Sequence, residues 1–361
     1  MVVPRISPPS PKRWEPPSKK SPYEARSVDA SELASVRLGL IHNPMAGQNR
    51  RQPCDLHAYE EALGPGALIR ETRQGRDLAP VMEELQSAGV TSIVVDGGDG
   101  TLGAAITEAV FRYGEEALPV FVPLCGGSFN AVARNLGSPR LDRPELLRHL
   151  RAALSDGGRG LREKQVGTLR LHDPRAPRDV FGFILMAGIP FKLDEYIYSK
   201  GGTAESTALY CLANMLVGGL LGNALGKRIF SDTPARVSID GEDCGCSSFK
   251  ITVATTLHRL LPGVAPCPPP PGASEGRFSY LVNYMATREM FKRTVKLFMN
   301  NYHGDPKHLT GHARTLTLHS HRAGYSLDGE MVRAVDDVDL DLQSGVPVRM
   351  WVVAPPDPFQ A

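Results

Sequence analysis

Three glycine-rich stretches each follow a short apolar run: Asn43-Pro-Met-Ala-Gly47, Asp96-Gly-Gly-Asp-Gly-Thr101 and Gly126-Gly-Ser-Phe-Asn130. In the middle one, Gly97, Gly98 and Gly100 free the backbone so that successive N–H groups can turn toward an anion. A helix starting there adds positive potential. Thr101 can cap that helix or hydrogen-bond a phosphate. Asp99 does not belong in a plain anion cradle, because a carboxylate repels phosphate unless it meets a metal ion or a hydroxyl donor. It points to chemistry rather than to simple anion binding. Gly127 and Ser128 repeat the logic of glycine, hydroxyl and helix start. Pro44 ends strand pairing and Gly47 permits a tight turn; alone, that stretch is an ordinary strand end. Late in the chain, Asp328-Gly-Glu330 adds two carboxylates, whereas the same tripeptide at Asp240-Gly-Glu242 reads as a hairpin turn.

These residues need a scaffold that brings them to one edge. Between Val36 and Gln165, apolar runs (36–41, 67–72, 91–96, 119–123) alternate with helical patterns (55–62, 77–87, 101–113, 129–136). Such alternation predicts a mostly parallel sheet with helices on both faces, which binds ligands at the carboxyl ends of its strands. Beyond it, short strand-like runs at 169–171, 180–186, 236–239, 249–254, 278–284, 315–318, 325–327 and 348–353 predict an antiparallel sandwich or barrel. Helical insertions near 204–226 and 288–301 interrupt it. The expected organisation is a disordered Pro-rich tail over 1–34, then a three-layer α/β nucleotide-binding domain over 35–165. An antiparallel β-sandwich domain over 166–354 completes the chain.

Composition excludes some functions. The 41 Lys+Arg against 39 Asp+Glu leave a net charge of +2, without the basic excess of a nucleic-acid binder. The six cysteines are scattered, and Cys244-Gly-Cys246 lacks ordinary zinc-ligand spacing. The first 22 residues contain no apolar run of a secretory signal, which suggests a cytoplasmic setting. Ser206–Gly226 is uncharged for 21 residues, near the ~20 that span a bilayer, yet it contains Asn214 and Asn223. It reads as a buried or membrane-grazing helix.

Taken in order, the four motif stretches resemble the diacylglycerol kinase catalytic domain family, which includes bacterial lipid kinases and sphingosine kinases. The resemblance runs from about Val36 to Ala354. It implies ATP- and Mg²⁺-dependent phosphorylation of a hydroxyl on diacylglycerol or on a sphingoid or ceramide-type lipid, in a cleft between the two domains. By position in the pattern, Asn43, Pro44, Gly47, Thr72, Gly97, Gly98, Gly100, Thr101, Gly127, Ser128 and Asn130 would hold ATP. Asp99, Asp328 and Glu330 match the catalytic acids, with Asp99 also a candidate Mg²⁺ ligand. An attacking alcohol needs a proton acceptor within reach; Glu330 or Asp328 could serve, and Asp99 could share the task or hold Mg²⁺ through water. The implied partners are a membrane lipid and a peripheral site on the inner face of the membrane. No nucleic acid is implied, and a homodimer is left open.

Departures accompany the resemblance. The Asn or Glu usual within Leu102-Gly-Ala104 is missing, and Gly188-Ile-Pro-Phe191 lacks the aspartate that often follows glycine, though Asp194 and Glu195 lie nearby. Glu275-Gly276 stands where some members place a structural Mg²⁺ ligand as Asp-Gly. Two other readings remain: an NAD kinase-like enzyme with a soluble substrate, which shares the Gly-Gly-Asp-Gly-Thr loop, and a lipid- or nucleotide-binding protein impaired in turnover.

Overall fold

The computed structural model describes residues 23–354 except 140, 201–204, 262–263, 299–304, 322–323 and 334–336. The strands Leu38–His42, Ser92–Asp96 and Val120–Pro123 are buried almost throughout, as strands covered on both faces must be. Their side chains alternate between two cores. Ile41, Ile93, Val95 and Phe121 meet the helices Leu78–Ser87 and Asp99–Tyr113, while Leu40, Val94 and Val122 meet Leu56–Leu63 and Arg143–Ser155. This is the expected three-layer arrangement. Parallel register sets His42 opposite both Asp96 and Glu71, so three strands finish at one level. The glycine-rich stretches leave from that edge.

The second half forms two six-stranded antiparallel sheets. Between them lies a core with Leu171, Val237, Leu318 and Leu342 from one sheet and Leu185, Phe249, Phe278 and Val282 from the other side. The expected sandwich is therefore present. A single run was expected over 180–186, but it divides. Val180–Gly182 belongs to one sheet and Ile184–Gly188 to the other, so the chain changes sheets at Phe183.

Two boundaries require correction. Val348–Val353 belongs to the first sheet, not to the sandwich: it lies between Val120–Pro123 and Leu161–Val166, pairing antiparallel with the latter over its whole length. Its Val348, Met350 and Val352 enter one core and Trp351 and Val353 the other. Residues 167–347 are thus an insertion, closed when the last strand returns to complete the sheet. Sequence periodicity alone cannot choose between two sheets that both accept an apolar strand. The expected 1–34 tail is also too long. Tyr23 is buried and donates its hydroxyl to the Thr256 carbonyl (3.1 Å), and Ala25–Ser27 pairs with the exposed edge of Leu161–Val166. The tail expected over residues 1–22 lies outside the described residues.

The uncharged 206–226 segment forms the helix Glu205–Leu221, a break, and a second helix Ala224–Ile229. Among the described residues no helix is long and apolar enough to cross a membrane. Ile189–Ser199 is a further helix that periodicity did not predict.

If the last strand completes the first sheet, truncating Met350 must loosen the α/β half. Met350→Ala should cost about 2–5 kcal/mol, the usual range for emptying a buried Met site, in urea denaturation. Hydrogen exchange should then show protection falling at Ser92–Asp96.

Candidate active site

The three glycine-rich stretches converge. Asn43 donates from Nδ2 to Thr101 Oγ1 (2.9 Å) and accepts the Met45 N–H on Oδ1 (2.9 Å), tying the first stretch to the second. Pro44 lies in the turn so formed. Gly47 opens a short helix, Gly47–Arg51, directly against Ser128 of the third stretch. Gln48 and Asn49 N–H groups both reach the Gly126 carbonyl (2.9 and 3.1 Å). Gly98 and Gly127 approach so closely that no β-carbon fits on Gly127, which accounts for the doubled glycines. Asn130 sits in the left-handed region (φ 50°) and spans its own loop, accepting from Gly127 N–H (2.8 Å) and donating to Gly127 O (3.0 Å). Thr72 is buried at the end of the neighbouring strand, its N–H on the His42 carbonyl (2.8 Å). It stands at the same edge, one strand out from the three stretches.

The carboxylates also meet, with different environments. Asp99 opens the helix Asp99–Tyr113 with Gly97 and Gly98 before it and Gly100 and Thr101 after it. Its two oxygens accept the N–H groups of Ala131 (2.8 Å) and Val132 (2.9 Å), the first donors of the helix Ala131–Leu136. Asp99 thus caps a helix that begins with an Asn130 side chain turned elsewhere. Burial raises its pKa, while those two N–H groups and Arg134 oppose the rise.

Asp328 turns inward in a left-handed turn (φ 52°). Its carboxylate accepts from Phe183 N–H (3.0 and 3.1 Å) and Ile184 N–H (2.9 Å), where the chain switches sheets and those donors leave the ladder. Burial, then the nearby charge of Asp99, hold its pKa well above the ordinary carboxylate range. β-Carbons on Gly103 and Gly182 would stand 2.8 and 2.6 Å from its Oδ2. The missing polar residue at 103 is therefore explained: the Asp328 carboxylate occupies that space. Glu330 differs from both. It is exposed, and its Oε1 stands 2.8 Å from where a β-carbon on Gly100 would lie.

Sequence reading left out two groups. Beneath the loops, buried Asp96 accepts Tyr59 O–H (2.6 Å) and pairs with His42 Nδ1 (2.6 Å). Its other oxygen faces Arg143 Nε at 3.8 Å. Arg143 in turn bonds Asn49 Oδ1 (2.6 Å) and the Gln52 carbonyl, and Asn49 Nδ2 reaches the carbonyls of Asn43 and Asp96 (2.9 and 3.1 Å). One buried network thus fixes the first two stretches to each other. The signal was an acid closing an otherwise apolar strand. The second group lies on the helix Ile189–Ser199. Asp194 stands beside Ser326, and burial pushes its pKa up to about 7. Tyr198 follows one turn later, its hydroxyl 3.5 Å from the Gly329 carbonyl, and its pKa is raised by burial and then by Glu330 and Asp194. Glu275 bonds the Gly272 N–H (2.8 Å), closing a local turn.

Two measurements check these environments. Arg143→Met removes the guanidinium that faces buried Asp96 and should cost about 3–5 kcal/mol in denaturant unfolding; adding Asp96→Asn should restore much of it. Asp194 has a folded pKa raised from 3.8 to about 7, so its folded form favours the proton. Its contribution to stability is full below about pH 4 and is lost as pH rises through 7. Asp194→Asn should flatten the fall in unfolding free energy across that window.

No curated protein matches the chain. Solved structures match its fold. One is a proposed diacylglycerol kinase of Bacillus anthracis str. Sterne, 18% identical with a TM-score of 0.60, covering 89% of this chain and 97% of that one. Another structure of a proposed diacylglycerol kinase from that strain is 17% identical with a TM-score of 0.58 and the same coverages. A diacylglycerol kinase structure from the strain, at 16% identity and a TM-score of 0.55, covers the same shares. Residues 37–157, which hold all three glycine-rich stretches and Asp99, match the family model of the diacylglycerol kinase catalytic domain.

Proposed function

We propose that this protein is a lipid kinase that transfers the γ-phosphate of ATP to a hydroxyl of diacylglycerol or of a sphingoid or ceramide-type lipid, working from the cytoplasmic face of a membrane. One observation carries the reading. Glu330, from the inserted half, stands exposed against the first turn of the helix that starts at Asp99, beside the loops joined by Gly98 and Gly127.

Each residue then has a task. The Asn43–Gly47, Gly97–Thr101 and Gly126–Asn130 segments form a glycine-lined cradle suited to a triphosphate. Glu330 takes the proton of the lipid hydroxyl as its oxygen attacks the γ-phosphorus. The bond from that phosphorus to the β-bridging oxygen breaks, leaving ADP and a lipid phosphate monoester. Asp328 and Asp99 hold the geometry, since backbone N–H groups already engage their oxygens. That division favours Glu330 over Asp328 as the base. Mg²⁺ bound with the triphosphate would supply charge neutralisation. The donors fit an ion held mainly by phosphate and water, with Glu330 and the remaining lone pairs of Asp99 nearest. Among the described residues no cluster of three metal-ligating side chains forms a cage.

The domain match and the late pair of carboxylates favour this reading over a soluble dinucleotide substrate. The departure at Gly103, which suggested impaired turnover, loses its force once Asp328 is seen to fill that space.

Purified protein given labelled ATP, Mg²⁺ and mixed lipid vesicles should yield a phosphorylated lipid. Glu330→Gln should lower kcat at least about 100-fold, the low end for losing a general base, with little change in the KM for ATP. Undiminished turnover by Glu330→Gln would refute the assignment. Absence of product across glycerolipids, sphingoid bases and ceramides would sink the lipid-kinase reading itself.

A further inference from the structure

The helix Glu205–Leu221 is apolar on more than the face it buries. Cys211 and Met215 are buried, and Leu212 and Leu216 pack on Ile229, Phe230 and Met290. On the outside, Tyr210 is 60% exposed, Val217 53% and Leu221 75%. Spacings of seven and four residues place these three on one face. Apolar helix faces are normally buried, and contiguous apolar exposure marks a surface that meets something.

The neighbours of this helix supply charge. The backbone of Ala224–Ile229 touches it where Gly226 meets Gly218, and that short helix presents Lys227 and Arg228 to solvent. The helix Thr287–Phe298 docks by placing the Phe291 ring against Gly219 and beside Phe230, with ring centroids 4.9 Å apart. Its Arg288, Lys292 and Lys296 are exposed and recur every four residues, forming one cationic stripe. Together these two helices hold six basic residues against a single acid, Glu289. The apolar helix also packs on Ile189–Ser199, which brings Asp194 and Tyr198 to the carboxylate site.

We propose that this face docks on the anionic surface of a bilayer. Tyr210, Val217 and Leu221 enter the boundary between headgroups and acyl chains, while Lys227, Arg228, Arg288, Lys292 and Lys296 meet anionic headgroups. Apolar insertion combined with basic flanks is the established physics of interfacial helices. A second copy of the chain suits the face less well, because two-fold pairing sets the same patch against itself and brings like charges together. Continuity with the carboxylates favours a bilayer over a soluble protein, since one helix separates the face from the site. The inference deepens the lipid-kinase reading by naming the surface through which its substrate arrives, and it rests on that reading.

The test is sedimentation of the full chain with vesicles of phosphatidylcholine alone or of equimolar phosphatidylcholine and phosphatidylserine. Binding should need phosphatidylserine and weaken at high salt. The pair Lys292→Glu and Lys296→Glu, and separately the pair Val217→Asp and Leu221→Asp, should each lower partitioning on the order of tenfold or more. Arg159→Glu, on the loop before the first-sheet strand Leu161–Val166, should leave binding unchanged. Circular dichroism identical to the parent confirms that a variant folds, and the charge pair decides should the aspartate pair misfold. Parent-like binding by both folded pairs overturns the proposal, as does failure of the parent to bind anionic vesicles. So does light scattering in which the aspartate pair splits a dimer yet keeps vesicle binding. Phosphoryl transfer to a water-soluble short-chain lipid separates the two inferences. Non-binding variants that retain it support the docking face, whereas a vesicle-binding parent that phosphorylates no lipid rejects the kinase reading alone.

Discussion

The Asp328 carboxylate holds the rest of the site in place. It satisfies the Phe183 and Ile184 N–H groups where the chain passes from one sandwich sheet to the other. A break in a buried strand otherwise leaves such donors unpaired, at roughly 1–3 kcal/mol each. The same carboxylate presses against Gly103 in the helix that starts at Asp99. One side chain therefore joins the sandwich to the α/β half and, two residues further on, sets where Glu330 stands. Other contacts fasten the same junction. Thr107 Oγ1 accepts the Phe181 N–H (2.9 Å), Arg178 pairs with Glu108, and Asn135 exchanges two hydrogen bonds with the Arg259 backbone (2.7 and 3.0 Å).

That arrangement divides labour among three acids that look equivalent on paper. Burial pushes Asp99 and Asp328 toward their protonated forms, and the charge of Asp99 is the second contributor to the rise at Asp328. Backbone donors pull the other way and consume the oxygens. Glu330 is exposed and has no comparable set of backbone donors among the described bonds, so its lone pairs face the opening. A base must accept a proton from an attacking group, and an oxygen already holding helix or strand donors does so poorly. Geometry thus separates positioning from proton transfer where composition cannot.

Much of this was legible in the chain. The carboxyl ends of the parallel strands were readable from apolar runs that stop at His42, Asp96 and Pro123, and the glycine pairs marked where loops would touch. The parts that were not legible share a cause. Val348–Val353 carries apolar residues on both faces, which suits a central strand of either sheet, and only tertiary pairing decides between them. The 180–186 run reads as one strand because a change of sheet leaves no mark in hydrophobicity. Tyr59, Arg143 and His42 come from separate elements, so their network around Asp96 exists only after folding. Ile189–Ser199 begins right after Gly188 and carries Pro190 in its first turn, residue types that give no helix signal along the chain, although proline near the start of a helix is favourable.

A small residue in place of a polar one is easily taken as the loss of a function. At Gly103 that inference fails, because a side chain and a carboxylate cannot share one volume. With Asp328 turned inward, any residue larger than glycine at 103 would press on its Oδ2 and on the Phe181 carbonyl, which a β-carbon would approach to 3.0 Å. Gly182 is constrained by the same oxygen at 2.6 Å. The two glycines and the aspartate therefore form a unit, and the polar atom absent from the helix at 103 is delivered from the other half of the molecule. Motif comparison along the chain scores Gly103 as a gap; distance across the cleft shows it as the socket for the residue that positions Glu330.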